Sequence, residues 1–139
     1  NSHASAHLDL DAPGNAQDTV EDVTTLRIDD IVPEDEAAIM KLDVEGAEIA
    51  AITGAERALR DGGVLIYEDH GSDLTSEVSA HLMKLPDIRV YSIEKTAVWV
   101  EDVDHLAQIK TDRYKGYNFL AGRGDAPLLT AIVQAFAKR

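Results

Sequence analysis

Two short apolar runs, Ala38-Ile39-Met40-Lys41-Leu42-Asp43-Val44 and Val64-Leu65-Ile66-Tyr67-Glu68, constrain this chain more than any other feature. Neither alternates strictly between apolar and polar residues, which is the pattern of strands covered on both faces in a parallel sheet. Between them Ile49, Ile52, Ala55, Ala58 and Leu59 recur at helical spacing, with Glu48 in the first turn and Gly62-Gly63 as the stop. Residues 47–61 therefore read as one helix, whose inner alanines let it lie close on a sheet. Strand, helix and strand fit within about 30 residues, the length of a right-handed parallel crossover. The middle of the chain reads as a βαβ unit, with the first run as a central parallel strand.

The flanks extend this α/β pattern. Val23-Thr24-Thr25-Leu26-Arg27-Ile28 has the β-branched enrichment of a short strand, and Asp29-Asp30-Ile31-Val32 forms one helical turn before Pro33. After His70-Gly71, the run Ser72-Asp73-Leu74-Thr75 offers capping side chains to a helix marked by Val78, Leu82 and Leu85 and ended by Pro86. Residues 88–93 read as a strand, 97–100 as a short strand or extended turn, and 117–121 as a last strand, while 101–116 stay ambiguous. Pro127 opens a terminal helix with an apolar stripe of Leu128, Leu129, Ile132, Val133 and Phe136. Residues 1–22 read as a polar loop leader that starts at a cut or processed boundary, and 23–139 as part of one domain.

Charge narrows the partners. Thirteen Lys and Arg against 26 Asp and Glu give a formal net charge of −13, which repels nucleic acid and anionic membranes. No cysteine is present, no apolar run reaches membrane-spanning length, and the first residues lack a signal peptide's pattern. A soluble, cytoplasmic protein is the expectation.

Ligands of open α/β sheets bind outside the carboxyl ends of the strands, where this chain places Asp43 and Glu45 after the first run and Glu68, Asp69 and His70 after the second. Carboxylates there can bond ribose or ammonium groups, ligate a hard cation, or take a proton from a substrate hydroxyl. Equally, they can cap helix N-termini. Gly46 suits a tight turn that leaves room for a ligand. Among the five histidines His70 is best placed for a general base, while His3 and His7 sit in the leader and His81 in a helix. No two histidines show metal-ligand spacing, so no metal is expected. Tyr114, Lys115 and Tyr117 could line a substrate entrance or simply pack. No G-x-G-x-x-G or P-loop sequence occurs, so the chain lacks the usual anion cradle.

The stretch Met40-Lys41-Leu42-Asp43-Val44-Glu45-Gly46-Ala47-Glu48, then Thr53-Gly54-Ala55 and Leu65-Ile66-Tyr67-Glu68-Asp69-His70-Gly71, closely resembles the signature of FkbM-type S-adenosylmethionine-dependent methyltransferases. Thr25-Leu26-Arg27-Ile28-Asp29-Asp30-Ile31 looks like that family's threonine-leucine-aspartate segment, and Asn118-Phe119-Leu120-Ala121 resembles its final strand. The likeness covers roughly residues 20–122. It implies the C-terminal half of a Rossmann-like seven-strand methyltransferase sheet, strands four to seven, with the last two an antiparallel hairpin at the sheet edge. The glycine-rich cofactor turn and ribose-binding acid of the family's first strands have no counterpart here.

By that resemblance the activity is methyl transfer from S-adenosylmethionine, usually to a hydroxyl oxygen of a small molecule or sugar. Asp43, Val44, Glu45 and Gly46 would hold the cofactor, and Glu68, Asp69 and Tyr117 the acceptor. Asp43, Glu45 or His70 would take the hydroxyl proton. Two other readings stay open: a non-enzymatic half-domain that forms a homodimer, or pairs with a missing N-terminal half, through an exposed strand, and an acidic cation-binding domain.

Overall fold

The computed structural model describes residues 24–44 and 46–138. The expected leader of residues 1–22 lies outside them. Thr24 to Arg27 are not a strand: the β-branched pair leads directly into a short helix, α1 (Ile28–Ile31), with Arg27 extended before it. The two apolar runs become β1 (Ile39–Leu42) and β2 (Val64–His70), parallel and in register from Ile39 opposite Val64 to Leu42 opposite Tyr67. The βαβ unit is present as expected.

Its crossover is two helices rather than one. α2 (Glu48–Thr53) stops at Gly54, and α3 (Glu56–Arg60) restarts after Ala55. The break has a physical cause in the upstream turn. The Gly54 carbonyl accepts the backbone N–H of Asp29 at 2.7 Å, and the Asp29 carboxylate caps α3 through the N–H groups of Arg57 and Ala58. The Arg57 guanidinium closes the knot by donating to the Asp29 and Val32 carbonyls. A single helix would leave these donors and acceptors unpaired.

Downstream come α4 (Glu77–Leu82), β3 (Ile88–Ile93), β4 (Ala97–Val100), α5 (Val103–Ile109), β5 (Gly116–Arg123) and α6 (Pro127–Ala137). The ambiguous segment thus holds a helix, whose start Asp102 caps by accepting the His105 N–H at 2.8 Å. The described residues form a five-stranded mixed sheet in the order β1-β2-β5-β3-β4. β5 runs antiparallel to both β2 and β3, and β4 is antiparallel to β3. The last strand has the expected direction but not the expected place: it lies inside the sheet, and β4 takes the edge.

Two apolar layers hold the sheet. On one face Ile52, Leu59, Leu65, Tyr67, Leu82, Leu106 and Phe119 are fully buried between strands and helices α2 to α5. On the other, Leu129 of α6 packs with Val64 and Leu120. α6 lies against β4 and β5, and among the described residues Ile39 and Lys41 on the corresponding side of β1 are exposed. β1 consequently alternates, with Met40 and Leu42 buried and Ile39 and Lys41 exposed, and it forms a sheet edge among the described residues. The expected central strand, covered on both faces, is in this respect corrected.

Candidate active site

The carboxyl ends of β1 and β2 open onto one cavity of about 360 Å³. β1 contributes Leu42, and Asp43 and Val44 just beyond it; β2 contributes Glu68, Asp69 and His70. Glu48 of α2, Asp73 of the following loop, and Glu77 and Val78 of α4 complete the lining. Parallel neighbours bring these clusters together because their strands end at the same edge of the sheet. Gly46 turns the chain after β1 at φ +81°, a left-handed conformation that a side chain would strain, and no atom lies within 4 Å of where its Cβ would be. The glycine is thus needed for the turn rather than for packing. Glu45 lies outside the described residues.

The individual groups differ in availability. Asp43 is exposed and gives one oxygen, Oδ2, to Lys41. Glu68 leans across the bare Cα of Gly116, where a Cβ would sit 2.0 Å from its Oε1. His70 Nδ1 lies 2.7 Å from the Ser72 hydroxyl and accepts the Ser72 backbone N–H at 3.2 Å. With Nδ1 accepting, the neutral ring carries its proton on Nε2, so the outer nitrogen is a donor in this arrangement.

Asp69 is engaged internally. It is 3% exposed; Oδ1 accepts from Lys110 Nζ at 2.5 Å and Oδ2 from the Ser79 hydroxyl at 2.8 Å. Since Ser79 spends its one proton on Asp69, the Tyr67 hydroxyl, 2.8 Å from Ser79 Oγ, must be the donor in that pair. Burial pushes the Tyr67 phenol far above its ordinary range and the Asp69 charge adds to this, against a smaller opposing effect of the Ser79 bond, so Tyr67 stays protonated. Asp69 thus lines the cavity while each of its oxygens already accepts one internal bond.

Tyr117 is not brought to this cavity. It is buried opposite Asp69 in the β2–β5 register, and its hydroxyl accepts the Asp112 N–H at 2.9 Å. It borders a separate groove with Ser92, Thr96 and Ile109, while Tyr114 is 82% exposed on the preceding loop. Lys110 is the residue that sequence reasoning missed. It follows α5 in the ambiguous segment, and only the Asp102 cap and the spacing of Val103, Leu106 and Ile109 could have exposed the helix that carries it.

A family model described as the Methyltransferase FkbM domain matches residues 2–119. The chain belongs to the FkbM methyltransferase family. Neither the curated proteins nor the solved structures offer a match. Membership assigns methyl transfer as the general activity, and the mixed five-stranded sheet is compatible with a methyltransferase-like fold. Among the described residues no group of three or more His, Asp or Glu could hold a metal ion, and no helix is long and apolar enough to cross a membrane.

Proposed function

We propose that this chain forms the strand-four-to-seven part of an S-adenosylmethionine-dependent domain that methylates a hydroxyl oxygen of a small molecule or sugar. The observation that carries the reading is the shared cavity at the ends of β1 and β2, lined by Asp43, Val44, Glu48, Glu68 and His70 within the matched family region. Its donor set fits the cofactor: carboxylates suit a sulfonium, an ammonium group and ribose hydroxyls, and Leu42, Val44 and Val78 offer apolar surface. Asp43, Val44 and Gly46, with Glu45, would hold the cofactor, which when bound supplies a methyl group activated on sulfur. The chain's own part is orientation and proton removal. Asp43 takes the acceptor's hydroxyl proton, Glu68 bonds a neighbouring hydroxyl, and His70 donates from Nε2. The charge of −13 favours a small acceptor over nucleic acid or an anionic membrane.

The glycine-rich cofactor turn has no counterpart in these 139 residues, so the reading requires it to come from strands paired with the open edge of β1. The test is transfer from methyl-labelled S-adenosylmethionine to a panel of hydroxylated small molecules and sugars, using a protein that includes such a turn. Asp43→Asn should abolish transfer and leave the melting temperature unchanged; retained turnover would remove Asp43 from the mechanism.

A second reading, a non-enzymatic half-domain that pairs with a copy of itself, is favoured by the edge position of β1 and by Ile39, 59% exposed on it. Light scattering on the 139-residue chain decides it, since a monodisperse monomer with no concentration dependence would dismiss self-pairing.

A further inference from the structure

We propose that Lys110 is a positioning residue for the crevice, acting through Asp69 and the loop after β2 rather than on any substrate; the inference rests on that crevice being the methyl-transfer site. Lys110 follows α5, outside the crevice lining, yet its side chain is 4% exposed and that of its partner Asp69 is 1% exposed. Its ammonium group has three protons, and three acceptors meet them: Asp69 Oδ1 at 2.5 Å, the Asp73 carbonyl at 2.6 Å and Ser76 Oγ at 2.9 Å. These acceptors run from the end of β2, through the loop, to the residue before α4. One buried cation thereby ties strand end, loop and helix start together.

Ser76 occupies the left-handed region at φ +48°, a conformation that costs energy in a residue with a side chain and persists only where its surroundings hold it. Lys110 bonds the hydroxyl of that residue. A second tether joins the same two segments: Gly71 N–H donates to the Lys115 carbonyl at 2.8 Å, and a Cβ on Gly71 would stand 2.0 Å from the Asp112 carbonyl oxygen. Ser79 of α4 holds the other oxygen of Asp69 at 2.8 Å. The wall of the cavity formed by Asp73, Glu77 and Val78 is thus set by the segment that follows α5.

Replacing a buried ion pair by neutral groups of similar volume is often close to neutral for stability, so a pair kept only for stability could be exchanged without consequence. The experiment uses the turn-containing protein of the transfer test as wild type, Lys110→Met and the double variant Asp69→Asn/Lys110→Met. It reads melting temperature, amide hydrogen exchange over residues 70–77, and affinity for S-adenosylhomocysteine. In the double variant exchange protection in residues 70–77 should fall by about tenfold or more while the rest of β2 and β5 keep theirs. Affinity for S-adenosylhomocysteine should fall with it. The proposal is overturned if the double variant keeps wild-type protection and affinity, or if protection is lost evenly across β2, β5 and the loop. If the wild type itself does not bind S-adenosylhomocysteine, the cofactor reading fails, and the exchange data alone still decide the role of Lys110.

Discussion

The Asp29 carboxylate accepts the backbone N–H of Ala58 at 2.9 Å across 29 residues of sequence, and the same side chain accepts the Arg57 N–H at 3.1 Å. It is 8% exposed, so its removal strands two backbone donors at the start of α3 with little water to replace it. Asp29→Ala should destabilise the fold by about 1–3 kcal/mol, as expected for a lost cap with a charged acceptor. Denaturant unfolding checks this, and a loss within error of zero would show that α3 is held by its apolar face alone.

Phe119 of β5 stacks on Tyr67 of β2 with ring centroids 5.6 Å apart and an interplanar angle of 23°. Both rings are buried at the middle of the sheet. Phe119→Ala should cost about 3–5 kcal/mol, since the ring is fully buried and its packed surroundings close only in part over the cavity left behind. Equilibrium unfolding gives the value, and a loss under about 1 kcal/mol would mean that the two strands do not pack as described.

Gly71→Ala would drive a methyl group against the Asp112 carbonyl oxygen, with backbone rather than a flexible side chain as the obstacle. The expected loss is about 1–3 kcal/mol, typical of a site with no room for an added carbon. It should come with weakened protection of the Gly71 and Lys115 amides in hydrogen exchange. An unchanged melting curve would contradict the close approach of the two loops.

Asp73 supplies the pH dependence. Burial pushes its carboxyl up, but hydrogen bonds from the Thr75 hydroxyl and from the backbone N–H groups of Glu77 and Thr75, together with the Lys110 charge, outweigh that and hold it below its ordinary value. A carboxyl depressed in the folded state stabilises the fold above its unfolded pKa of about 3.9, and this contribution disappears as pH falls through the lower folded value. Asp73→Asn should therefore melt below the wild type at neutral pH, and the gap should close as pH drops below about 4. A gap that stays constant with pH would assign the loss to something other than the charge.

The legible parts of the fold were those written in local pattern. Apolar runs at 38–44 and 64–68, glycines at 62 and 63 and the stripe beginning at Leu128 all correspond to observed elements, because burial on one side fixes their period. The split between α2 and α3 was hidden because its cause, Asp29, lies a whole strand upstream. Thr24 to Ile28 misled because β-branched residues favour a strand only where a partner strand exists, and among the described residues none pairs with them.

At the site, residues contributed by strand ends were legible, since Asp43, Glu68 and His70 follow from topology alone. Occupancy was not. That Asp69 carries internal bonds depends on Lys110 and Ser79, neither of which any motif connects to it. Tyr117 has the register position beside Asp69, yet it borders the other groove, where its hydroxyl accepts the Asp112 N–H.

The interior position of β5 has a consequence for how the molecule comes into being. During synthesis β2 and β3 emerge well before their shared neighbour, so neither can complete its hydrogen-bond ladder until residues 116–123 arrive and slot between them. Until that moment the nascent sheet carries two raw inner margins, and the interval before insertion is when premature clumping on the ribosome would compete with maturation.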